Sequence, residues 1–251
     1  MRYISDNQPP EELILWLREQ RKVGLNLKYD DLTPVEINGE VRDVRQSIIN
    51  QRLRDQGHLC AYTMLRIDPS SCHVEHIYPR SRSYAEGDLE KSVEYTNMVA
   101  CYPLLEPGDK RGKCPFGAEA RGDKLLPLHP LDSTCEQRLR YKSNGEVVAA
   151  NPTDSAANDI IDAAGELLRL NHPKLVRWRK SAIEQAGIGI RATKPLTEAQ
   201  AKRLKHDILQ FQRGQKLRPH CMAIAHAAEE HIERVRKRRI IRQQMRKKEK
   251  S

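Results

Sequence analysis

Between Gly57 and Pro152 the chain loses the helical periodicity that governs both of its ends, and that interruption constrains everything it can build. Upstream, Pro9 and Pro10 followed by Glu11 and Glu12 open a helix with Leu13, Trp16 and Leu17 at helical spacing and Gly24 at its close. A second helix is predicted from about Arg42 to Gln56, with Val44, Ile48, Ile49 and Leu53 as its stripe and Gly57 as its C-cap. Downstream, Ala157, Ile160, Ile161, Ala164, Leu167 and Leu168 form a stripe that stops at Asn171-His172-Pro173. Pro173 suits the first turn of the next helix, and Thr197 with Gln200 makes a capping box for another along Ala201, Leu204, Ile208 and Phe211. The last helical segment runs from about His220 to Lys248. In the interruption, Leu59 to Met64 and Cys72 to Tyr78 read as two strands of a hairpin joined by RIDPSS. Asn144-Gly145 signals a second hairpin with a type I′ turn. Arg80 to Pro130 is rich in Gly, Pro and charge, as expected of a segment that wraps a site or a small metal centre without a core of its own.

Charge matters here by location. The formal net charge is +10, but ten Lys or Arg stand between Arg234 and Ser251 against the single Glu249, which leaves the first 233 residues at about +1. The pull on anionic partners therefore belongs to the tail. Its cations lie all around a helix broken only by Ile240, Ile241 and Met245, so the expectation is a frayed segment that orders against an anion or an acidic surface. No run approaches the ~18 apolar residues of a membrane span, and no basic-then-apolar leader opens the chain. Six scattered cysteines without a secretory signal point to free thiols in the cytoplasm and away from a disulfide scaffold.

The chemistry concentrates in CHVEHIYPRS, where His73, Glu75 and His76 fall within four residues closed by Pro79. Carboxylate beside imidazole suits a hard divalent cation next to a base that titrates near neutrality. Strand alternation sends Glu75 and His76 to opposite faces, and phosphodiester hydrolysis uses that separation, with a base activating water and a metal stabilising the leaving oxygen. Two histidines flanking a Glu on a half-buried strand are also ordinary hydrogen-bonded groups, so the motif by itself is weak.

The surrounding blocks DQGHLCAYT, HVEHIYPRS, EYTNMVACYP, CPFGAEARGDK, YKSNGEV and LLRLNHPKL resemble the HNH, or ββα-metal, endonucleases, and within them the PtuB-like subunits of Septu and related retron defence systems. The resemblance covers roughly residues 1–190 and is most specific between Gly57 and Lys124. Together with the helical patterning of the two ends and the charge of the tail, it implies an α+β chain: a ββα-metal nuclease centre embedded between N- and C-terminal helices, with a basic helical tail. The segments would be 1–57, 58–150 with the accessory hairpin, 151–213 and 214–251. It places His76 on the general base, Glu75 on the first metal ligand, Asn97 on the central Asn and Glu119 on the final ligand, with Asp109 and Asp123 as fallbacks. The implied ion is Mg²⁺ or Mn²⁺ by ligand hardness, the implied substrate is DNA, and the implied partner is a PtuA-like ATPase.

Each assignment has an alternative. Asn97 either touches the metal or fixes the loop across the site, and His73 either approaches metal and phosphate or makes a structural hydrogen bond. Lys113, Arg121 and Lys124 in the body, with Arg238, Arg239 and Arg242 in the tail, are candidate phosphate contacts or solvated charges. Many relatives bracket the site with two Cys-x-x-Cys knuckles, whereas here the first reads Cys60-Ala-Tyr-Thr63 and the second Cys101-Tyr-Pro-Leu104, so a structural zinc is not expected. His226 and His231 are five apart and share no helix face, so they are not a zincin pair. The rival functions are a silent nucleic-acid adaptor that keeps the shape, and an RNase acting on tRNA.

Overall fold

A computed structural model describes residues 1–5, 8–24, 27–104, 113–189 and 195–248. It is an α+β arrangement whose three sheets, among the described residues, are each a two-stranded antiparallel pair. Helix α1 (Glu11–Lys22) follows Pro10 and buries Leu13 and Trp16. Next comes a hairpin that the helical stripes had obscured, β1 (Val35–Ile37) and β2 (Glu40–Arg42). Asn38 and Gly39 both take positive φ, 53° and 80°, which is the type I′ geometry that fits the right-handed strand twist. Helix α2 (Val44–Asp55) is capped by Asp43, whose carboxylate accepts the Gln46 N–H at 3.0 Å. It ends at Gly57 with φ 59°, where the His58 N–H reaches back to the Leu53 carbonyl at 2.8 Å.

The central hairpin differs from the expected one. Strand β3 (His73–His76) pairs with β4 (Met98–Cys101), in the register His73 opposite Cys101 and His76 opposite Met98. Leu59 to Met64 is a tight loop in which Cys60 exchanges backbone bonds with Leu65 and Met64, and only Leu59 bridges to Arg66. Its apolar residues are buried because the loop is pressed into the core, so local hydrophobicity there does not mark a strand. Short helices α3 (Arg80–Ala85) and α4 (Ala118–Arg121) flank β4 in sequence. Phe116 anchors the approach to α4 by packing edge-on against Trp178, and the Gly117 N–H donates to Leu168 O at 2.8 Å.

After α5 (Cys135–Arg138), strands β5 (Leu139–Tyr141) and β6 (Val147–Ala149) form the accessory hairpin. Of its two turn residues only Gly145 has positive φ, 94°, and its N–H donates to Lys142 O, so the turn is type I closed by a left-handed glycine in place of type I′. Helices α6 (Ser155–Leu167), α7 (Pro173–Gln185) and α8 (Glu198–Leu209) follow, and the Thr197–Gln200 capping box closes reciprocally. Helix α9 (Cys221–Lys248) is 28 residues long and continuous as far as Lys248, where a frayed segment was expected from Arg234 on.

One large apolar core gathers Met1, Leu53, Tyr62, Val99, Tyr141, Ile183 and the Ala223–Ala228 stretch, drawing on all four sequence segments. A smaller one packs α1 and α2 against Val93, Tyr95 and Met98, behind β4. The central hairpin is thus held between two cores, with the ends of its strands free for chemistry. Among the described residues no helix is long and apolar enough to cross a membrane.

Candidate active site

Strand alternation puts His73 and Glu75 on one face of β3 and His76 on the other, and all three line one cleft of about 400 Å³ at the strand's end. Asp30, Arg80 and Asp123 complete its polar wall.

The His76 ring is 5% exposed and meets Tyr29 edge-on at 4.8 Å. Its Nε2 lies 2.9 Å from Ser92 O. A carbonyl only accepts, so Nε2 carries the proton and the neutral ring keeps its lone pair on Nδ1. Burial is the main cause that pushes the ring's pKa down, to about 4, so it is neutral near pH 7. Asn97 supports this placement from behind. Its Oδ1 accepts the Tyr78 N–H at 2.7 Å, and its Nδ2 donates to Tyr78 O and, at 2.9 Å, to Lys91 O. The carbonyl next along the chain is the one that holds His76, so Asn97 braces both the chain leaving β3 and the loop that fixes the ring.

Glu75 sits between two cationic or potentially cationic groups. Arg121 Nη1 donates to its Oε1 at 2.8 Å, while His73 Nε2 stands 3.7 Å from its Oε2. His73 is itself oriented by Nδ1, 2.6 Å from Pro103 O, which leaves Nε2 as the lone-pair nitrogen of the neutral ring. Burial alone would depress His73, but Glu75 and the Pro103 carbonyl outweigh it and the net direction is upward.

No family model matches the chain. Over 193 residues it is 25% identical to a Vibrio cholerae serotype O1 biovar El Tor protein named "Retron Vc95 putative HNH endonuclease", spanning 76% of this chain and 86% of that one. The likeness supports an HNH endonuclease.

The cleft rearranges several of the sequence assignments. Arg121 is no phosphate contact: its side chain is 1% exposed, and its donors are taken by Glu75, the Tyr62 hydroxyl and the carbonyls of His76, Ile77 and Lys124. Glu119, on the same short helix, is half-buried and does not line the cleft, whereas Asp123 does. Asp109 lies outside the described residues. Lys113 and Lys124 are exposed, as are Arg238, Arg239 and Arg242 on α9. Asp30 went unseen in the sequence: it sits in a 3₁₀ turn far upstream, pairs with Arg80 and accepts the Tyr84 hydroxyl at 2.9 Å. No local signal marked it.

The residues that could hold a divalent cation are Glu75, a hard oxygen donor, and His73, a borderline nitrogen donor on the same strand face whose imidazole is oriented by a carbonyl. Among the described residues no three His, Cys, Asp or Glu side chains already converge as a cage. Such a site would take its remaining ligands from water and phosphate, the usual habit of Mg²⁺. On the hairpin's other side, the two half-knuckles meet. Cys60 Sγ accepts the Tyr102 N–H at 3.4 Å. Burial would raise the Cys60 pKa, but the bonds from Cys101, Thr63 and Tyr102 outweigh it and bring it to about 6. His226 and His231 are spent separately, on the Tyr141 N–H and on Leu196 O.

Proposed function

We propose that the chain is a divalent-metal-dependent HNH endonuclease that hydrolyses DNA phosphodiesters in the cytoplasm, as the effector of an antiphage complex with a PtuA-like ATPase, its centre a ββα-metal arrangement of β3, β4 and α4. The observation that carries the reading is the joint tautomer control at one cleft. Ser92 O fixes His76 with a lone pair on Nδ1, and Pro103 O fixes His73 with a lone pair toward Glu75. His76 accepts a proton from water at Nδ1 as the water oxygen bonds to phosphorus and the bond to the leaving deoxyribose oxygen breaks, that oxygen taking a proton from solvent. Glu75 and His73 are the residues that would hold Mg²⁺ or Mn²⁺, which when bound offsets charge on the phosphate and the leaving oxygen. Arg121 holds Glu75 and the His76 and Ile77 carbonyls in place, and Asn97 is a positioning residue acting through Tyr78 and the loop at Lys91 and Ser92. In this reading Glu119 gives way to Asp123 or Asp30 as the further carboxylate.

The test is nicking of supercoiled plasmid by the full chain with Mn²⁺, Mg²⁺ or EDTA, with single-stranded DNA and tRNA in parallel. His76→Ala should lower the rate by ~10²–10⁴ while the fold persists, as loss of a general base does. Wild-type rates from His76→Ala would remove the base assignment, and cleavage of tRNA alone would replace DNA as substrate. The Arg121–Glu75 pair is the one feature that favours the silent-adaptor reading, because it already neutralises the carboxylate. Binding of plasmid without nicking under every metal condition would establish that rival.

A further inference from the structure

In the last part of α9 two arginines are already engaged by α8. Arg236 and Arg239 turn toward α8 and share Glu198, at 2.8 and 3.5 Å. At 3.6 residues per turn, Arg234, Arg238, Arg242 and Arg246 form a different ridge, each one turn and a little beyond the last. None of these four has an ion-pair partner among the described residues, and Arg238, Arg242 and Arg246 are exposed. Like charges at this i, i+4 spacing repel one another, so the helix carries an arrangement that is unfavourable without an anion. The helix's beginning is fixed, since Ala223, Ile224, Ala225, Ala227 and Ala228 are fully buried in the core that also holds Val99 and Cys101 of β4. The ridge therefore extends from a helix whose beginning is packed in the same core as β4.

We propose that this arginine ridge is a second nucleic-acid contact, which binds the phosphate backbone of duplex DNA without regard to sequence and tethers substrate to the nuclease. The proposal rests on the DNA-nuclease reading above for its choice of polyanion. Four arginines at a rise of about 6 Å per step span about 18 Å of helix. Along one strand of a duplex phosphates recur every ~3.4 Å of axis, closer than the ~6 Å between successive arginines, so the contact needs no particular register. Guanidinium in place of ammonium at all four positions suits bidentate phosphate binding. A helical protein partner would ask for a continuous apolar stripe, and the exposed apolar residues of the tail amount to Ile241 with Met245 one turn on, and Ile240 on another side.

The experiment measures binding of a mixed-sequence DNA duplex to the full chain in EDTA across a salt series, with plasmid nicking followed alongside. The variant R238Q/R242Q/R246Q should flatten the log K against log salt slope by ~2.7, at ~0.9 per lost contact, and weaken two unrelated sequences equally. The variant R238K/R242K/R246K keeps the charge and should keep most of the slope, which separates loss of contacts from loss of helix. An unchanged slope in the glutamine variant overturns the proposal, and does so even if nicking is normal, in which case the nuclease reading stands alone. Ridge-dependent binding without any nicking leaves the ridge and removes the nuclease. If duplex binding is unchanged while retention on poly-glutamate falls, the ridge faces an acidic protein and the proposal is wrong.

Discussion

Replacing Arg121 by Met removes a guanidinium that is 1% exposed and sits at the junction of β3, α4 and the loop around Tyr62. Three backbone carbonyls, those of His76, Ile77 and Lys124, lose their donor, and the Glu75 carboxylate loses its 2.8 Å partner. Removing one member of a fully buried pair costs ~3–5 kcal/mol, and Glu75 at 17% exposure keeps His73 and some water, so its share is roughly 2 kcal/mol. Each carbonyl adds ~1 kcal/mol less whatever water restores, for a total of roughly 3–5 kcal/mol. For a chain of this size that lowers the thermal midpoint by roughly 6–20 °C. Differential scanning calorimetry on Arg121→Met, Glu75→Leu and the double variant checks both the size and the cause. If an isolated carboxylate is the damage, the double variant should be at least ~1 kcal/mol more stable than the sum of the singles. A midpoint within about 2 °C of wild type, or strict additivity, refutes the account of Arg121 as the clamp of the site.

Three further outcomes follow from particular contacts. Burial pushes His220 and His226 down to about 4, so the unfolded chain binds more protons than the folded one between pH 4 and 6.5; stability should be full above pH 6.5 and fall as pH drops through that window, by up to ~3 kcal/mol per group, and a urea midpoint that stays flat from pH 7.5 to 5 contradicts this. Gly145→Ala meets φ 94° and a Cβ 2.3 Å from Val176 O on α7, so it should cost roughly 2–4 kcal/mol in urea denaturation, with little effect if the hairpin can lift off the helix. Asp123→Asn should reduce Mn²⁺-dependent nicking by ~10-fold or more while Glu119→Gln stays near wild type, and the opposite order would return the ligand to α4.

The fold was legible where a signal was local. The Thr197 capping box, Pro173 at a helix start and Gly57 at a helix end each act through atoms within a few residues, and each sits where the sequence placed it. The pairing of β3 was not legible, because its partner β4 lies beyond α3 and is buried on both faces, while the nearer apolar run at Leu59 is apolar for packing as a loop. Asn38-Gly39 carried a hairpin signal as good as Asn144-Gly145, with Val-Glu-Ile and Glu-Val-Arg alternating on either side, so this hairpin was legible and was masked only by the helical stripes around it. Strand alternation did separate Glu75 from His76. What it could not show is which nitrogen of each ring is free, since Ser92 and Pro103 reach the site from elsewhere in the chain.

The carboxylate expected on α4 shows how much one register decides. Glu119 and Arg121 are two residues apart, about 200° around a helix, so only one of them can face β3. A sequence reading prefers the carboxylate there, because a metal wants oxygen and an Arg in a charged segment looks solvated. The structure turns the helix the other way. Phe116 is buried under α7 and Gly117 is bonded to Leu168, which fixes where the helix begins and leaves Arg121 pointing at Glu75. Glu119 then faces away from the cleft, and the next acid along the chain comes after Gly122, whose φ of 56° turns the backbone so that Asp123 lines the cleft wall. A buried arginine in the helix and a carboxylate just beyond it are therefore two consequences of one packing choice, made at Phe116 and Gly117.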